Sequence, residues 1–284
     1  MRTALLLAFA ALAAMGVSAL LDLLLPPLPP ALDVVVDALT AIMILGSASY
    51  LGLYVIDGRH EELIRRRVLS PAQILWYSAM GPLLVAPVTL LQDVLASIVG
   101  MTAQTYGQAD PSLFLLQLVS SVLLVPALEE IFFRGYLHSA LGYGWKGMVY
   151  SAGVFALMHA DMLYLPRFLF ALLASVVMLK ADSILAPMIM HAGYNLTILL
   201  LTYMGLDGLF TGLTVISCAL RVGLTLAFIY ALRRAWTARV VRLKFDLPDI
   251  SGRGGISLTR REILLLCGAA IAVLLAVVTT GVLA

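Results

Sequence analysis

Stretches of about 20 apolar residues recur along most of this chain, and that repetition limits the fold more than any single motif. Inside hydrocarbon each backbone N–H and C=O must find a partner in the protein itself, so long apolar runs separated by short polar loops mean membrane-crossing helices. The composition agrees. Only 12% of the 284 residues are charged and 62% are hydrophobic, whereas charged residues make up about a quarter of an ordinary soluble protein. The expected fold class is all-α: a polytopic helical membrane protein of about nine transmembrane helices, or eight if the first is peripheral or cleaved, around an intramembrane active-site cavity.

Nine segments are long enough to cross, or nearly so: 4–24, 32–56, 73–99, 112–139, 148–163, 167–184, 186–204, 211–232 and 263–283. The first follows Arg2 as a signal peptide would, but it ends at Asp22 and a proline-rich turn at 26–30 rather than at small residues, so a retained helix is expected. Arg59, Arg65, Arg66 and Arg67 fall in the loop at 57–70, Lys146 follows the fourth segment, and eight Lys or Arg residues occupy 233–261. The intervening connections at 26–30, 102–111 and 205–208 hold none. Lys and Arg collect on the cytoplasmic side, so the N-terminus is expected inside. Arg167, in the turn between the fifth and sixth segments, is the exception; nearby Asp161 can offset it. The whole of 1–284 reads as one transmembrane domain, with 233–261 a basic cytoplasmic loop lying on anionic lipid. Cys218 and Cys267 lie in apolar segments without metal-ligand spacing and read as unpaired thiols. No phosphate loop or nucleic-acid module is present, so nucleic acid is not an expected partner; the lipid bilayer is.

Against this background the ionisable groups within the apolar segments stand out, because each one costs about 2.5–3.5 kcal/mol at the centre of a membrane helix. In the fourth segment, Glu129 and Glu130 precede Arg134. Glu130 and Arg134 are four residues apart, share a helix face and can pair, which offsets much of their burial. Glu129 is rotated by about 100° from Glu130. A carboxylate with no cation of its own in low dielectric is well suited to accept a proton from water. Pro126 cannot donate to the Val122 carbonyl, a local break of the kind that lines polar cavities.

Phe155 and His159 are four residues apart in the fifth segment, as are His191 and Asn195 in the seventh. The second pair reads as two neutral donors aimed at one point, an arrangement suited to a tetrahedral oxyanion. Gly193, between them, lets a neighbouring backbone come close. Helix depth brings Glu129, His159 and His191 between the midplane and the cytoplasmic leaflet. A hydrolytic site follows from the residues alone, with a transporter as the rival, since buried charges also mark transport paths.

In order and spacing, the Glu-Glu-x-x-x-Arg, Phe-x-x-x-His and His-x-x-x-Asn motifs resemble the CPBP family of intramembrane proteases. That family includes type II CAAX prenyl endopeptidases and bacterial abortive-infection and immunity proteins, so an idle scaffold of the same descent is a further alternative. The resemblance covers roughly 113–204, the expected catalytic core. It implies an endopeptidase acting on a membrane-associated, in some members lipidated, protein or peptide. Glu129 matches the catalytic glutamate, His159 its partner in activating water, and His191 with Asn195 the oxyanion pair; Glu130, Arg134 and Phe155 match supporting positions. The sequence departs from the family at Ala171–Ser175, where a glycine-rich helix is common. The family is widely labelled metalloprotease, and Glu129, His159 and His191 could supply three zinc ligands. With no His-Glu-x-x-His and with an asparagine in the set, hydrolysis without a metal cofactor is the expectation.

Overall fold

The computed structural model describes residues 2–56, 68–100, 110–142, 144–159 and 164–237. The basic stretch at 57–67, Asp161, most of the 233–261 loop and the 263–283 segment lie outside the described residues. Within them the chain is helical throughout. We number the helices α1 (Arg2–Leu24), α2 (Pro30–Ile56), α3 (Pro71–Ile98), α4 (Pro111–Leu141), α5 (Trp145–Met158), α6 (Tyr164–Ala181), α7 (Leu185–Tyr203) and α8 (Val215–Thr237).

Proline and capping side chains set where several of them begin. Pro30, Pro71 and Pro111 each occupy a first-turn position, where a missing N–H leaves nothing unsatisfied. Ser70 and Gln73 complete a reciprocal capping box at the start of α3. Asp110 accepts from the Ser112 backbone N–H at 2.9 Å and opens α4. Asp182, at φ 52°, makes the left-handed turn from α6 to α7, a conformation that aspartate tolerates better than most residues.

Six of the described helices are long and apolar enough to cross a membrane: α1, α2, α3, α4, α6 and α7. The nine-helix count is not confirmed: the segment at 263–283 lies outside the described residues, and two others fall short within them. The segment at 148–163 becomes a helix of 14 residues that stops at Met158, about 21 Å long against a hydrocarbon core of about 30 Å. The segment at 211–232 does not become helical until Val215, and its apolar stretch ends at Tyr230. The bundle is inverted relative to a soluble protein. Met43, Leu75 and Leu115 are each at least 70% exposed while Glu130, Arg134, His138 and Arg221 are at most 1% exposed. Apolar side chains on the outside and polar ones within are what a lipid environment selects, and the architecture is that of an integral membrane protein.

α7 runs along α3 as the most extensive packing pair, with α8 on another face of α3 and α6 joining α5 to α7. The α3–α7 approach depends on glycine. A Cβ at Gly81 would sit 2.5 Å from the Met190 carbonyl oxygen and 2.6 Å from the Gly193 carbonyl carbon, well inside van der Waals contact. α8 is tied to α3 by a buried ion pair, Arg221 to Asp93 at 2.6 Å. Arg221 also donates to the carbonyls of Phe210 and Gly212, and Ser217 donates to that of Leu209. The charge in the middle of the eighth segment therefore anchors the loop before α8.

Candidate active site

The geometry starts from a change of helical register in α4. Between Leu118 and Leu124 the helix widens to π spacing, and the Val125 N–H reaches the Ser120 carbonyl, five residues back. In that register the next carbonyl, Ser121, would look to residue 126, which is proline and has no N–H. Asn195 supplies the missing donor: its Nδ2 lies 2.8 Å from the Ser121 carbonyl oxygen. Sequence spacing assigned the freed carbonyl to Val122; the wider turn moves it to Ser121. The register returns to α over Val125–Glu130 and widens again over Ile131–Leu137. The two glutamates thus lie on one normal turn between two widened ones, a placement common at functional sites.

Behind this turn is a buried charge network. Arg134 Nη1 is 3.1 Å from Glu130 Oε1, with both side chains essentially inaccessible. Arg134 Nη2 donates to the Ala171 carbonyl at 3.2 Å, so α6 shares the guanidinium. The same guanidinium lies over the Phe155 ring, 4.6 Å from its centroid, within cation–π range. Phe155 also packs on His159 with ring centroids 4.4 Å apart. Phe170, absent from the motif reading, sets its ring against His191 at 4.8 Å. It belongs to no motif, and nothing in the sequence would have selected it.

Hydrogen bonding fixes both imidazoles. His159 Nδ1 is 2.8 Å from the Phe155 carbonyl oxygen, which can only accept, so Nδ1 carries the proton. His191 Nδ1 is 2.9 Å from Glu130 Oε1 and likewise donates to a carboxylate. The Nε2 of each ring then faces Glu129. His159 Nε2 lies 3.7 Å from Oε1 and His191 Nε2 lies 3.7 Å from Oε2. In the neutral state His191 therefore offers an acceptor where its spacing had suggested a donor. Asn195, with one amide N–H on Ser121, keeps a second.

Glu129, His159, His191 and Asn195 line one cavity of about 590 Å³; Glu130, Arg134 and Phe155 lie outside its lining. Its other walls come from α1 between Leu12 and Asp22, α2 between Asp37 and Leu45, and Arg167 at the start of α6. His159 caps the C-terminal end of α5 rather than sitting within a span, because that helix ends part-way across.

Residues 111–197 match the family model described as type II CAAX prenyl endopeptidase, Rce1-like. This part of the chain is similar to a family of membrane-embedded peptidases. The match contains all seven residues singled out above and supports protease activity on a membrane-associated protein. No curated protein and no solved structure matches the chain.

The zinc alternative can be tested on this geometry. Both Nε2 lone pairs point at a carboxylate, and both Nδ1–H groups are held by oxygen, as in many metal sites. Yet the imidazoles face different oxygens of Glu129. One ion within about 2 Å of both nitrogens and of an oxygen would require the side chains to move. Among the described residues no three His, Cys, Asp or Glu side chains gather closely enough to hold a metal.

Proposed function

We propose that this protein is an intramembrane endopeptidase that hydrolyses a peptide bond with water activated by Glu129 and His159, without a metal. The observation that carries the reading is the Glu129 carboxylate flanked by two imidazole Nε2 atoms, each 3.7 Å from a different oxygen, at the wall of a cavity inside the helix bundle. That separation leaves room for a water proton to be shared between two acceptors.

The proposed reaction balances with water alone. Glu129 takes one proton from water as the oxygen attacks the scissile carbonyl carbon, and the C=O π electrons move to oxygen. Asn195 donates its second N–H to that oxyanion; His191 adds a donor at Nε2 only as an imidazolium. When the oxyanion collapses the C–N bond breaks, and the proton on Glu129 passes to the departing nitrogen. Glu130 orients His191, and Arg134 pairs with Glu130, so both act through another residue.

The substrate class follows the family name: a membrane-associated protein or peptide, with a prenylated CAAX peptide the first candidate. The Lys and Arg distribution supports a cytoplasmic N-terminus. The Leu141 end of α4 and the Leu185 end of α7 would then face the cytoplasm, with His191 about 9 Å into α7. Glu129 would lie in the cytoplasmic half, with the cavity extending from it toward the opposite face. The test is cleavage of a quenched prenylated CAAX peptide by purified protein in lipid vesicles, with and without exhaustive dialysis against a chelator. Turnover that survives dialysis, in protein with less than one zinc per chain, supports the reading; zinc-dependent recovery of lost activity overturns its metal-free part.

A further inference from the structure

Arg167 is the one basic residue that breaks the positive-inside pattern, and its position in the fold explains why. Arg167 sits in the first turn of α6, a helix packed against α5, and so belongs to a helix rather than to a loop. It lines the cavity that holds Glu129, His159, His191 and Asn195, and it is half-buried there. Cations that face a cavity inside a membrane helix bundle pair with other groups or mark a functional path.

His191 has its Nδ1–H on Glu130, so its Nε2, which faces Glu129, donates only if the ring holds a second proton. Asn195 has one N–H on Ser121. Arg134 is held by Glu130, Ala171 and Phe155, outside the cavity lining. A guanidinium carries five N–H donors and no acceptor, so it can keep another partner and still donate to a substrate oxygen.

We propose that Arg167 is a catalytic residue that donates to, and neutralises, the oxyanion formed when water adds to the scissile carbonyl. This rests on the hydrolytic reading above and adds the charge that reading lacks. It assigns Arg167 no proton transfer: the carbonyl electron pair moves onto oxygen beside the cation and returns when the C–N bond breaks.

The test uses full-length protein in vesicles with the quenched prenylated CAAX peptide. Arg167→Gln should lower kcat by about 10²–10³ with KM changed by less than about threefold, the signature of a donor acting in the transition state. Arg167→Lys, which keeps the charge without the fork, should fall between that variant and wild type. Guanidinium ion added to Arg167→Gly should restore part of the rate, which it would not do if the side chain only packed. A phosphinic analogue of the peptide, tetrahedral and anionic, should bind Arg167→Lys more tightly than Arg167→Gln, while uncleaved peptide binds both alike. Turnover of Arg167→Gln within about threefold of wild type, beside an inactive Glu129→Gln, overturns this assignment and leaves the hydrolase reading intact. Equal weakening of analogue and peptide binding would also overturn it. An active Glu129→Gln would refute the hydrolytic reading itself.

Discussion

Removing Arg134 should destabilise the protein far more than removing a surface arginine, and the structure indicates by how much. The guanidinium is 1% exposed and meets Glu130 at 3.1 Å, the Ala171 carbonyl at 3.2 Å and the Phe155 ring at 4.6 Å. In Arg134→Ala all three contacts go, and Glu130, fully buried, is left without its cation. Breaking a buried pair from one side costs about 3–5 kcal/mol. Cation–π loss adds about 0.5–2 kcal/mol, not additively, because both contacts belong to one group. Taking about 3 kcal/mol as the lower bound and about 2–4 °C per kcal/mol for a chain of this size, the melting midpoint in detergent should fall by at least about 6 °C. The combination Glu130→Gln with Arg134→Met removes both charges at nearly constant volume and should recover much of that midpoint. Activity should recover less, because His191 is then held by a neutral amide in place of a carboxylate. A single variant that melts with wild type, or a double variant that melts no better than the single, would refute the argument that this pair is buried and mutually dependent.

Three further outcomes follow from separate contacts. Asn195→Ala should lower kcat by about 10²–10³, and because it also leaves the Ser121 carbonyl without its donor, the melting midpoint should drop measurably; an unchanged midpoint would remove the register argument. Gly81→Ala should sharply reduce folded protein recovered from membranes, since its Cβ would collide with the α7 backbone; wild-type yield would show that the helices can separate without loss. Asp93→Ala, leaving Arg221 buried without its carboxylate, should destabilise by about 3–5 kcal/mol without changing kcat in the surviving folded fraction, because the pair ties α8 to α3 away from the cavity.

The sequence made one side of this account legible and left the other obscure, for definite reasons. Glu130 with Arg134, and Phe155 with His159, are contacts within single helices, and an i, i+4 spacing specifies those directly. The membrane-embedded helical architecture was legible too, because apolar length is a property of the sequence alone. The count of helices was not, since hydropathy does not show where a helix ends; α5 stops at Met158 although apolar residues continue. Contacts between helices were equally hidden. The His191–Glu130 bond spans 61 positions, and it decides which ring nitrogen faces Glu129. Asn195 on Ser121 depends on a π-helical register that no residue type announces. The pairing of Arg221 with Asp93, 128 positions away, was not legible. For Arg167 the signal was present, as the one exception to the charge pattern, but its place in the cavity lining needed the structure.

Everything in the proposed chemistry passes through one carboxylate, so Glu129→Gln is the most direct measurement. The amide keeps the shape of the side chain and cannot accept the proton of water. In vesicles with the prenylated CAAX peptide, the account predicts that cleavage falls below detection while the melting midpoint stays within about 2 °C of wild type, less than the shift from 1 kcal/mol. Turnover above about a tenth of the wild-type rate in that folded variant would contradict it, because loss of a true general base typically removes a factor of about 10²–10⁴.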